Sequence, residues 1–376
     1  MTPRRFIRIV VKAVLMLAVF DAVQAALDLD RRLESLSLYR HFVPPLARLD
    51  SMRDYPTPVM WRLDPLLDAH RIGRAKRPDE FRVAVLGDSG TFGMFVPERK
   101  TVPGQMTRVG GSFRGRKLVA YNLSYQTPNT LKDLLVEKHA LRRKLDAIVW
   151  FVTLFDLARD APPAEFRREI HLVIRVNADD LPELERKYGI DTWETREIEA
   201  LRGPFDRSVL VDGGRYRDFA ILLGRAFFDR LAGDDPTESV RAPRPWVGSR
   251  PLPATPLFFD RGPNDPPMPN ARWKNLEAGA RMAKEARVPL LLVNDPLFLA
   301  SGPNSEHEYN SYYGREIYDR YRRDLAAYCR RRGIDLLDLW NLLPPREFDD
   351  MPQHYTPAGS RRIAGAVVRR LEGMTP

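Results

Sequence analysis

Two short stretches, far apart in the chain, hold residue types that suit acyl transfer. One is Gly87-Asp88-Ser89-Gly90-Thr91-Phe92-Gly93, and the other is Asp349-Asp350-Met351-Pro352-Gln353-His354. A serine hydroxyl becomes nucleophilic when a base takes its proton, and a histidine base needs a carboxylate to hold its tautomer. The first stretch offers the hydroxyl of Ser89. The second offers the imidazole of His354 and an acid, Asp350 or its neighbour Asp349. Gly87 and Asp88 line the serine turn, and Asp88 is read as a hydrogen-bonding residue of that turn. The turn also exposes backbone N–H groups and a positive dipole end, which suit a developing oxyanion. Metal chemistry is not expected. The single cysteine, Cys329, excludes a cysteine-built zinc site and an internal disulfide, and the 6 histidines form no HExxH or HxH pair. The site calls for no cofactor.

For these two loops to meet, they must leave the same edge of one sheet. Phe81–Gly87 is almost wholly apolar and closes in a Gly-Asp-Ser turn, so it reads as a buried strand. Lys117–Leu123, Leu145–Thr153, Val288–Asn294 and Ile334–Trp340 read as further strands, and Leu145–Thr153 is apolar on both faces, as a buried parallel strand must be. Helical patterns alternate with them at Asn129–Leu141, Ala271–Ala286, Arg315–Arg332 and Pro357–Leu371, the last capped by Thr356 with Pro357 in its first turn. This alternation predicts an α/β fold with a doubly wound parallel sheet, whose reactive groups gather at the carboxyl ends of the strands. Residues 81–372 form that domain. Within it, 157–271 breaks the rhythm and reads as a long insertion, with a helix at Arg217–Leu231 and a proline- and arginine-dense stretch at Asp234–Asn270. Residues 29–80 read as a stalk and lead-in.

The two blocks together resemble those of the SGNH/GDSL hydrolase family. That family keeps Gly-Asp-Ser at the end of strand one, matched by Gly87, Asp88 and Ser89, and an acid and histidine before the last helix, matched by Asp350 and His354. The resemblance spans roughly residues 80–155 and 275–372. It implies a flavodoxin-like sheet and a serine esterase or acyl-transfer mechanism. Ser89 would be the nucleophile and its backbone N–H an oxyanion donor; His354 would be the base, oriented by Asp350. Three positions depart from the family pattern. The acid stands four residues before the histidine, not three. The second block, usually Asn-x-Gly-x-x-Gly, is Asn122-Leu-Ser124-Tyr-Gln-Thr127, with both glycines replaced. The third, usually Gly-x-Asn-Asp, is Thr153-Leu154-Phe155-Asp156. Loss of an oxyanion donor costs about 3–4 kcal/mol in the transition state. Asn122, Asn129 or a group from the insertion is the candidate replacement.

The resemblance implies an acyl ester as substrate, on a glycan or another envelope molecule. An O-acyltransferase working with a membrane-bound acyltransferase is the alternative, since both chemistries pass through an acyl-serine. A non-catalytic binding protein on the same scaffold is the other alternative. Asn294-Asp295-Pro296 ends strand four on the site's edge. The polar and aromatic segments that follow, Ser301–Ser305 and Tyr309–Tyr313, suit either a sugar or an ordinary polar loop.

Length and composition agree with a folded enzyme: 376 residues, 44% hydrophobic and 29% charged. The net charge of +10 comes from arginines spread along the chain among the acids. Short basic stretches such as Arg71–Arg77 lack aromatic interleaving or a helix-turn-helix pattern, so the excess reads as a solvated basic surface and no nucleic-acid partner is expected. Residues 1–28 begin with Arg4, Arg5, Arg8 and Lys12, followed by an apolar run from Ala13 to Phe20. That order suits a signal anchor or a signal peptide, either of which puts the domain on the extracytoplasmic side, the anchor doing so through a membrane helix. On an insertion scale the apolar residues give about −4 to −5 kcal/mol, and Lys12, Asp21 and Gln24 return a similar amount.

Overall fold

The computed structural model describes residues 3–27, 45–49, 62–94, 96–157, 174, 177–190, 270–349 and 354–374. The strands are β1 (Glu80–Leu86), β2 (Ser112–Phe113), β3 (Arg116–Asn122), β4 (Ala147–Val152), β5 (Leu290–Asn294) and β6 (Asp335–Asp338). They form one sheet in the order β2-β3-β1-β4-β5-β6. β1 pairs in parallel with β3 and with β4, β4 with β5, and β5 with β6; only the short β2 runs antiparallel, beside β3. Among the parallel strands the chain therefore starts in the sheet, steps to one side, then crosses back and continues outward. This is the flavodoxin-like winding, with its switch point between β1 and β4.

The helices are α1 (Pro3–Leu27), α2 (Leu63–Ala69), α3 (Ser89–Phe92), α4 (Val102–Gly110), α5 (Thr130–Ala140), α6 (Leu154–Leu157), α7 (Leu181–Tyr188), α8 (Asn270–Glu285), α9 (Arg315–Arg332) and α10 (Pro357–Gly373). Strand residues alternate between two cores, as a period of two requires. Val83, Val85, Val149, Phe151, Leu291 and Val293 pack with α4 and α10 through Met106, Ile363 and Val367. Ala84, Leu86, Ile148, Trp150, Val152 and Leu292 pack on the other face with α2, α5, α8 and α9. Each fully buried aliphatic or aromatic side chain in these layers contributes about 1.5–3 kcal/mol. Cys329 is buried in the same core, in α9.

Some expectations change. The stretch read as a stalk is in part core: Leu49, Leu63, Leu66, Leu67 and Ile72 are buried against the sheet's helices, because α2 presents apolar residues to α5. The insertion also contributes, through Ala178, Leu181 and Leu184. His139 Nε2 meets Asp180 Oδ2 at 2.7 Å and Lys138 Nζ meets Asp180 Oδ1 at 2.8 Å, tying this part to α5. The helix read at Arg217–Leu231 lies outside the described residues. The hairpin of β2 and β3 was not expected, since two residues are too few for a periodic signal. The expected membrane helix finds no support in the described residues. α1 is helical, but its unbroken apolar run spans about 12 Å against roughly 30 Å of hydrocarbon. Among the described residues no helix is long and apolar enough to cross a membrane.

Candidate active site

At the end of β1 the chain turns at Gly87 with φ +152°. A Cβ there would stand 3.0 Å from Phe151 Cβ and from Thr91 Oγ1, so the turn needs glycine for both angle and space. Asp88 caps α3, its Oδ1 accepting the Gly90 N–H at 2.9 Å. Ser89 is the first residue of α3 and half-buried. The helix stops after one turn at Gly93, φ +79°, whose N–H donates to the Ser89 carbonyl at 3.1 Å.

The second loop is pinned at its base. Phe348 and Tyr355 form an antiparallel bridge. The Asp349 N–H donates to the His354 carbonyl at 2.7 Å, and the Thr356 N–H to the Glu347 carbonyl at 3.0 Å. Thr356 also caps α10, accepting the Gly359 N–H at 3.3 Å. Phe348 packs edge-on against Phe298 and Tyr355 at ring separations of 5.5 and 5.8 Å. His354 leaves this clamp 7% exposed, and its Nε2 lies 3.1 Å from Ser89 Oγ. That is hydrogen-bond distance between a hydroxyl and a ring nitrogen able to take its proton. Asp349 is buried beside it. Asp350, the acid named from the sequence, lies outside the described residues.

Asn122 ends β3 and is buried. Its amide nitrogen donates to the Phe92 carbonyl at 3.1 Å and to Glu98 Oε2 at 3.2 Å, while its Oδ1 accepts the Ser124 N–H at 3.3 Å. Asn122 thus clamps the end of α3 to the loop after β3; donating to an oxyanion would mean exchanging one of these bonds. Asn129 caps α5, its Oδ1 accepting the Leu131 and Lys132 N–H groups at 2.8 and 3.0 Å. Of the aromatics weighed for sugar binding, Tyr309 and Tyr313 are spent in the core, with Tyr318 at ring separations of 5.8 and 5.3 Å.

The floor of the site is more acidic than the motifs suggest. Burial pushes the Asp88 carboxyl up, opposed by the Gly90 N–H and by the charges of Lys132 and His354. Burial also holds Asp156 well above the carboxylate range, with the charges of Asp88 and Asp133 adding to it. Asp295 is raised well above that range in the same way, first by burial and then by Asp88 and Asp156. Asp156 Oδ2 accepts the Thr153 N–H at 2.7 Å and its hydroxyl at 3.1 Å. A fully buried ammonium, Lys132, stands among these acids. Asp295 directly follows β5 and Asp156 lies in α6 just beyond β4, which signals their edge. Lys132 gives no such sign, because it sits in an ordinary-looking helix.

No protein-family model matches the sequence, and no curated protein matches it. Solved structures do resemble the fold. The lipase/acylhydrolase from Enterococcus faecalis is 10% identical, covering 78% of this chain and 95% of its own, with a TM-score of 0.39. A variant of the acetylxylan esterase from Geobacillus stearothermophilus is 11% identical, covering 78% and 94%, with a TM-score of 0.37.

Proposed function

We propose that the chain is a serine-dependent acyl-ester hydrolase in which Ser89 carries the acyl group. The observation behind this reading is the 3.1 Å approach of His354 Nε2 to Ser89 Oγ, across 265 positions of sequence. Ser89 Oγ adds to the acyl carbonyl carbon as its proton passes to His354 Nε2. The intermediate collapses when the bond to the leaving alcohol breaks and His354 returns the proton to that oxygen. Water then adds to the acyl-serine, giving a proton to His354. The acid departs, and Ser89 Oγ takes the proton back. Asp350 orients the imidazole from the same loop. The backbone N–H of Ser89, at the start of α3, receives the oxyanion. The substrate is an O-acylated glycan or another envelope ester, a reading supported by the basic-then-apolar N-terminal segment.

The test is covalent labelling of the full chain with a fluorophosphonate, read by intact mass. One adduct per chain is expected on the wild type, and none on Ser89→Ala or His354→Ala. A folded wild-type chain that takes no adduct would sink the reading.

A further inference from the structure

We infer that Lys132 is a positioning residue for the Ser89 turn, which it ties to the loop after β3. The inference rests on the reading of Ser89 as nucleophile. Lys132 lies in the first turn of α5, and both its side chain and that of Asp133 are 0% exposed. Its ammonium donates to the Gly87 carbonyl at 3.0 Å and to the Thr127 carbonyl at 2.8 Å, and it pairs with Asp133 Oδ1 at 2.9 Å. An ammonium has three N–H donors, and these are three acceptors. A buried ammonium costs several kcal/mol unless it is fully paired. Lys132 therefore has one favourable position, and its partners share it.

The two carbonyl partners belong to different loops, one after β1 and one after β3. Gly87 lies two residues before Ser89 in the nucleophile turn. Thr127 belongs to the loop after β3, at the second of the two positions where glycine is replaced. The Tyr125 N–H from that same loop also donates to the Gly87 carbonyl, at 3.0 Å, and the Tyr125 ring centroid lies 5.8 Å from the ammonium. Backbone carbonyls of both loops thus converge on one cation. Its charge also opposes the upward shifts that burial imposes on Asp88 and Asp156. Lys132 does not reach the reacting atoms; it acts through the placement of Ser89.

The experiment uses the full chain, p-nitrophenyl acetate as the probe ester and fluorophosphonate labelling as a second readout. Lys132→Met removes the ammonium at similar length. Lys132→Met/Asp133→Asn also removes the carboxylate that would be left unpaired. Lys132→Gln keeps two N–H donors. Leu325→Ala, in the same core but away from the turn, controls for lost stability. Expected is a kcat about 100-fold lower in both Met variants, with KM within about threefold, an equal fall in labelling rate, and Lys132→Gln in between. Leu325→Ala keeps the wild-type kcat wherever it is folded. Lys132 variants within about threefold of wild-type kcat, or a fall that Leu325→Ala reproduces, would overturn the assignment. Ser89→Ala, assayed in parallel, separates the two readings. If it turns over like wild type, the nucleophile reading fails and takes the Lys132 assignment with it. If it is inactive while the Lys132 variants are not slowed, only the Lys132 assignment fails.

Discussion

β1 has a buried carboxyl group near each end, and the two are treated in opposite ways. Glu80 starts the strand with 0% exposure; Asp88 follows it with 1%. Glu80 Oε1 accepts from Arg82 Nε at 2.9 Å and from the Tyr121 hydroxyl at 2.7 Å, while Oε2 accepts from Arg74 at 2.7 Å. Burial alone would raise this carboxyl, but Arg82, Tyr121 and Arg74 bring it down to about 2. Asp88 has two backbone N–H groups, from Gly90 and Thr91, and the nearest cation is shared among several acids. Its carboxyl stays raised. At the amino edge the hydrogen bonds to Glu80 outweigh its burial, while at the carboxyl edge burial and neighbouring acids outweigh the bonds that Asp88 and Asp156 receive. Saturated acids hold strands together. Raised acids beside a serine–histidine pair are the pattern expected of a functional site, and they agree with the reading proposed above.

The largest expected effect breaks the carboxyl edge without disturbing the sheet. Asp350→Asn should lower turnover of p-nitrophenyl acetate about 10⁴-fold, as losing the carboxylate behind a catalytic histidine does, with an unchanged unfolding midpoint. A similar loss in Asp349→Asn with none in Asp350→Asn would move the orienting role to Asp349.

The amino edge should answer in stability. Arg82→Met leaves Glu80 with a buried charge missing its main partner, and is expected to cost about 3–5 kcal/mol. Urea unfolding measures this, and labelling of Ser89 in the folded fraction should not change. A loss below about 1 kcal/mol would mean that Arg74 and Tyr121 suffice.

The smallest effect sharpens the comparison through pH. Glu80 is about 2 when folded, below its ordinary 4.5, so its stabilisation is present above pH 4.5 and lost as pH falls toward 2. Glu137, on α5, is the reverse case. Burial, helped by the charge of Asp133, raises it to about 8 from 4.5. The folded state therefore binds the extra proton, and stability falls as pH rises from 4.5 through 8. Glu137→Gln should flatten that upper limb in thermal unfolding scans between about pH 5 and 9. An unchanged slope would show that another group carries it.

The long strands and the glycine turn before Ser89 were legible because their signals are local. Five apolar runs became five parallel strands, and Thr356-Pro357 opened α10 as a cap and first-turn residue do. Residues 63–72 were harder to read. α2 is seven residues long, too short to show a convincing periodicity, and its place in the core depends on what α5 offers it. The donor role considered for Asn122 shows the same limit. Its residue type permits donation to an oxyanion, but its neighbours Phe92 and Glu98 already use the amide. The membrane helix was hard to read because it is a sum of near-equal terms, where a few charged residues decide the sign.

By itself, the sequence determined the alternation of strands and helices, the glycine turn that presents Ser89, and the chemical types at both ends of the site. Periodicity, capping and turn angles act over a few residues, so they can be read in order along the chain. Only the tertiary structure decided that His354 reaches Ser89, that Lys132 binds the carbonyls of two loops, and that Glu80 and Asp88 shift in opposite directions. Those outcomes depend on which groups share a desolvated volume. Burial strengthens every charge interaction and penalises every unpaired group, and the composition of that volume is set by packing between segments far apart in the chain.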